Sequence, residues 1–167
     1  RLLDPDASQI SGEVFINGKD VLSLDTTELE KIRGRRVAMI FQDPMTSLNP
    51  IKRIGDLIIE AISLHSTISK SDARKEAIRL LDEVQIPSPK RCLMAYPHEL
   101  SGGMRQRVMI AIALSMKPDL IIADEPTTSL DVTVQAQVIK LFKERVKSHG
   151  TATILITHDI ALVSGFA

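Results

Sequence analysis

The sequence predicts an α/β fold, a layer of buried strands interrupted by a helical insertion. Two observations carry this. First, the short runs 37–41, 120–123 and 153–156 have the length and character of strands, and 37–41 reads as a buried strand by its continuous apolarity. Second, the last two runs flank a helical pattern from Val132 to about Ser148, whereas 54 to about 116 reads as helices with no convincing strand.

In chain order, Arg1, Leu2 and Leu3 read as the last turn of a helix closed by Asp4 and Pro5. Residues 13–16 and 21–22 are expected as two short strands joined through Asn17-Gly18, a strong hairpin turn. Asp25-Thr26-Thr27-Glu28 has capping-box spacing and opens a short helix that ends near Gly34. Within the insertion, 72–84 places Ala73, Ala77, Leu80 and Val84 on one helical face. The nearly continuous apolar run 108–114 is a further helix, and 160–167 reads as an apolar helix start. The expected division is 1–43 and 117–167 as one α/β core around a helical unit at 44–116. Both edges of that core are expected to be missing from the chain.

Composition excludes several functions. The 167 residues suffice for about one domain. Lys and Arg total 21 and so do Asp and Glu, which gives no support to a nucleic-acid or polybasic membrane surface. Four Phe, one Tyr and no Trp argue against a base-stacking surface. The single cysteine, Cys92, excludes an internal disulfide and reads as a small buried apolar residue. No apolar run approaches the ~18 residues that span a bilayer. A soluble, intracellular protein is expected, reaching a membrane only through partners.

Four patterns point to chemistry. Asp124-Glu125 follows an apolar strand, and ligands of open α/β sheets bind beyond such strand ends. One carboxylate suits Mg²⁺, and the other can polarise a water for attack on a phosphoryl group. Taken alone, the pair is equally a polar turn. Ser101-Gly102-Gly103 precedes the 108–114 helix, where free N–H groups, the helix dipole and a hydroxyl make an anion site. An ordinary N-cap has the same sequence. Gln42 follows a strand and His158 ends another; each is a weak signal alone. His65, His98 and His149 have no such setting and read as surface or hydrogen-bonded residues.

The ordered set is more specific than its members. Gln42, 100–106, 120–125, Ser129-Leu130-Asp131 and His158 together resemble the nucleotide-binding subunit of ABC transporters, in both order and spacing. By that resemblance Gln42 is the Q-loop glutamine and Ser101, Gly102 and Gly103 the signature, with Gln106 a further nucleotide contact. Asp124 is the Walker B aspartate, Glu125 the catalytic glutamate, Asp131 the D-loop aspartate and His158 the switch histidine. The stretches 41–50, 96–107 and 124–128 look like the oligopeptide, dipeptide and nickel importer branch.

The resemblance implies a partial P-loop NTPase (RecA-like) sheet with an inserted helical signature subdomain. It also implies ATP and Mg²⁺, with Gln42 and Asp124 near the metal, Glu125 activating water and His158 contacting the γ-phosphate. The implied assembly is a head-to-tail pair of ATPase subunits, two transmembrane permease subunits and an external solute-binding protein, with no nucleic acid. Its place is the cytoplasmic face of a bacterial or archaeal membrane, held peripherally, with Met45 and Leu48 as candidate docking contacts.

One departure matters. The family's P-loop, Gly-x4-Gly-Lys-[Ser/Thr], does not occur in these 167 residues. The segment 12–20 has five residues between its glycines, and Asp20 stands where a hydroxyl is required. The chain is therefore expected to lack ATPase activity alone. The alternatives are a non-catalytic dimerisation module of the same fold and a nickel importer ATPase. A chromosome-maintenance ATPase would need a long coiled-coil insertion between Gln42 and Ser101, where only 58 residues lie and no heptads are sustained.

Overall fold

The structure, a computed structural model, describes residues 10–43, 47–64, 66–127 and 130–159. The expected helical turns at 1–3 and 160–167, the candidate contact Met45, and His65 and Ser129 lie outside them.

Asn17 and Gly18 both adopt positive φ, as a tight hairpin requires. They join β1 (Phe15–Ile16) to β2 (Lys19–Asp20) in an antiparallel pair. The second strand therefore lies nearer the turn than the expected 21–22, although the Val21 N–H still donates to the Val14 carbonyl. Asp20 Oδ1 accepts from the N–H groups of Val14 and Leu22 at 3.3 and 3.0 Å. Those donors are taken up within the hairpin, so 12–20 is a turn and not a phosphate cradle. Helix α1 (Thr26–Ile32) starts at Asp25, whose side chain accepts from Glu28 N–H, and the chain turns at Gly34 with φ +73°.

The sheet consists of β3 (Val37–Ile40), β4 (Leu120–Asp124) and β5 (Ala152–Ile156), all parallel, with β4 in the centre. The register pairs Ile40 with Ala123 and Asp124 with Ile156, so the three strands end level. Between β3 and β4 the chain forms α2 (Ile54–Leu64), α3 (Lys70–Glu83), a short turn α4 (Pro89–Cys92) and α5 (Gly102–Leu114). No strand occurs among the described residues of that stretch. Helix α6 (Val132–His149) connects β4 to β5 and stops at Gly150, φ +65°.

Helix α3 buries Ala73, Ala77 and Leu80, and Val84 just past its end is buried too. Exposed pairs such as Asp72 with Lys75 and Glu76 with Arg79 line its other face. From Val108 to Leu114 helix α5 is apolar on all sides because it is nearly enclosed there, whereas Arg105 and Arg107 at its start are half-buried and donate to backbone carbonyls. It packs on the sheet through β3, on α2 and α3, and on α6. This helix joins the insertion to the sheet. Cys92 is buried, and burial pushes its thiol pKa up. Leu48 is only 3% exposed and packs in the core, so it offers no docking surface.

Candidate functional site

The level ends of three parallel strands bring the expected residues together. Gln42 lies two residues past β3, Asp124 is the last residue of β4, Glu125 follows it, and His158 lies two residues past β5. Glu125 has φ +45°, in the left-handed region. Its N–H donates to the Ile156 carbonyl at 2.8 Å, which anchors it to the neighbouring strand. The carboxylate is gripped on both oxygens. Gln42 Nε2 donates to Oε2 at 2.7 Å, and His158 Nδ1 lies 2.9 Å from Oε1. The hydrogen bond to Glu125, and then the carboxylate's charge, raise the pKa of His158, with Asp159 adding to the effect.

Asp124 is half-buried at the end of β4, and its side chain has no hydrogen-bond or ion-pair partner among the described residues. No group of three or more His, Cys, Asp or Glu gathers as a metal centre among them either. A single unpartnered carboxylate suits Mg²⁺, which usually keeps several waters and takes one or two carboxylates plus substrate phosphates.

Ser101, Gly102 and Gly103 begin a different element. Ser101 caps α5, its Oγ accepting from Met104 N–H at 3.3 Å. The first N–H groups of such a helix lack intrahelical acceptors, which leaves them available to an anion. Two residues not singled out from the sequence hold the approach to this cap. Glu99 Oε2 accepts from Tyr96 N–H at 2.7 Å, and Arg105 Nη1 donates to the Leu100 carbonyl at 2.7 Å. The three-residue spacing from Tyr96 to Glu99 is the signal that was available.

Gln106 is 1% exposed, and its side chain lies within the packing. Asp131 is exposed and caps α6, its Oδ1 accepting from Val134 N–H at 3.0 Å. His98 stacks on Tyr96, and His149 Nδ1 meets the Arg145 carbonyl, so both are engaged locally.

Residues 1–128 match the ABC transporter family. The chain belongs to that family. The oligopeptide transport ATP-binding protein OppD of Escherichia coli (strain K12) is 52% identical over 157 residues, covering 94% of this chain and 47% of OppD. The probable D,D-dipeptide transport ATP-binding protein DdpD of the same organism is 55% identical over 153 residues, covering 92% and 47%. The chain thus spans about half the length of these curated relatives. Among solved structures, the dimeric post-hydrolysis state of the ATP-binding cassette MJ0796 bound to ADP and Pi is similar. It aligns with a TM-score of 0.79 at 31% identity, over 91% of this chain and 65% of that one. The fold is therefore that of ABC ATPase cassettes, and the α/β expectation holds. No helix among the described residues is long and apolar enough to cross a membrane.

Proposed function

We propose that this chain is part of the ATP-hydrolysing subunit of a peptide importer. The observation that carries the reading is the grip on Glu125 by Gln42 and His158, beside Asp124, whose side chain has no partner among the described residues. It supports a hydrolytic site because a carboxylate fixed at both oxygens is already oriented toward one position. In this reading Glu125 accepts the proton of a water attacking the γ-phosphate, and His158 contacts that phosphate. Gln42 orients the carboxylate. Asp124, with Gln42 nearby, would hold Mg²⁺, whose charge would offset that of the phosphates.

The Ser101-Gly102-Gly103 helix start faces the nucleotide of a second subunit arranged head to tail, and Asp131 lies at that contact. The segment 44–116 is the helical subdomain that meets the membrane subunits. The phosphate cradle must come from a P-loop, which these 167 residues do not contain. The names of the similar proteins support peptides as cargo. Two permease subunits, an external binding protein and a position on the cytoplasmic face complete the assembly.

The test is uptake of labelled tripeptide by cells whose only importer ATPase is a P-loop-bearing subunit containing this sequence. We expect uptake that is lost with Glu125→Gln. Uptake of nickel but not peptide, or peptide uptake indifferent to Glu125→Gln, would overturn the proposal.

A further inference from the structure

The glycines at the start of α5 answer to a neighbour inside the same chain. A Cβ built on Gly103 would lie 2.6 Å from Val134 Cγ1, closer than two carbons can approach. One on Gly102 would lie 3.2 Å from Leu130 Cδ2, the movable end of a long side chain. Gly103 is the stricter case, because a helical valine is stiff at χ1 and cannot swing its methyl aside cheaply. Val134 is half-buried against the core, which further limits its freedom.

The first turn of α6 therefore rests directly on the start of α5. That same turn makes two other contacts. Val134 N–H donates to Asp131, the residue that caps the helix. Gln135 Nε2 donates to Asp159 Oδ2 at 3.2 Å, and Asp159 is the neighbour of His158, which binds Glu125. A continuous path of packing and hydrogen bonds runs from Gly103 through Val134 and Gln135 to the residues that hold Glu125.

We infer that Val134 is a positioning residue: seated on Gly103, it sets the Ser101-Gly102-Gly103 helix start against the Glu125–His158 pair of the same chain, with Gln135 completing the link. The absent side chain of Gly103 serves this contact and not only the approach of a phosphate. The inference rests on the proposed function for its catalytic consequence, but the packing claim stands on this chain alone.

The test has two readouts. In NMR spectra of the 167-residue chain, Gly103→Ala is expected to shift the amide signals of Gln135, His158 and Asp159. Adding Val134→Ala should return them toward the wild-type positions, because the added methyl then occupies vacated space. In a P-loop-bearing subunit containing this sequence, Gly103→Ala is expected to lower kcat by about tenfold or more, since small misplacements in such sites are costly. Val134→Ala alone should also be slower than wild type, and relief by the double variant is read in the NMR comparison, because Gly103 itself lies in the proposed nucleotide-facing helix start. Wild-type kcat in Val134→Ala would overturn the inference even if Gly103→Ala fails to fold, and so would amide signals of the double variant no nearer to wild type than those of Gly103→Ala. Signals at His158 and Asp159 that ignore Gly103→Ala would overturn it as well. A wild-type subunit that hydrolyses no ATP would instead overturn the proposed function, while the NMR comparison still decides the packing.

Discussion

Glu125 occupies a backbone conformation that costs an ordinary side chain about 1–2 kcal/mol. It is kept there by its N–H bond to Ile156 and by partners on both carboxylate oxygens. His158 registers that arrangement. Its pKa is raised in the folded chain by Glu125, so the pair's stabilisation is fully present below the ordinary histidine value of about 6.5 and fades as pH rises through the raised one. An NMR titration of the His158 ring should therefore show a midpoint above the ordinary value, falling back in Glu125→Gln. A midpoint unmoved by that substitution would break the pairing. Gln42, Glu125 and His158 were each ambiguous in the sequence, because a strand-end polar residue is commonplace. Their order along the chain made them legible, and the level strand ends brought them together. The burial of Gln106 was not legible, because it sits between Arg105 and Arg107 in a polar stretch whose spacing marks no inward face.

Helix starts are the elements that place the two candidate surfaces. Asp131 caps α6, and loss of such a cap costs about 1 kcal/mol. Asp131→Ala should lower the melting temperature, whereas Asp131→Asn, which can still accept from Val134 N–H, should leave it nearly unchanged. Equal losses in both would mean that charge, not capping, is at stake. Farther along α6, Phe142 is 1% exposed, and Phe142→Ala should cost about 3–5 kcal/mol in chemical denaturation. A loss under about 1 kcal/mol would show that the helix does not seat in the core as described. The elements themselves were largely legible. Asp25, the 72–84 face and the 120–123 run announced α1, α3 and β4, because local capping and periodicity decide them. The hairpin's turn and register were legible, since Val21 still pairs with Val14, but its strand limits were not, because two-residue strands are set by the turn and leave almost no pattern. The Gly103–Val134 contact was not legible at all: 31 positions separate the two residues, and only the packing of α5 on α6 unites them.

At the scale of the whole molecule, α5 is the member that makes one body of the sheet and the helical insertion. It lies against β3, α2, α3 and α6, and so holds the signature-like start in a fixed relation to the strand ends. The chain alone still lacks the phosphate cradle. Asp124 and Glu125 would face a nucleotide's phosphates with no lysine and no nest of N–H groups opposite. Calorimetric titration of the 167-residue chain with Mg-ATP is expected to give no saturable heat at high micromolar nucleotide. Stoichiometric binding would mean that a cradle exists here, and the 12–20 hairpin would be the first segment to mutate. The most direct test of the central claim is steady-state ATP hydrolysis by a P-loop-bearing subunit containing this sequence, wild type beside Glu125→Gln. The account predicts turnover in the wild type and a loss of at least about 10²-fold in the variant, the scale of a lost general base. Turnover that survives Glu125→Gln would contradict it.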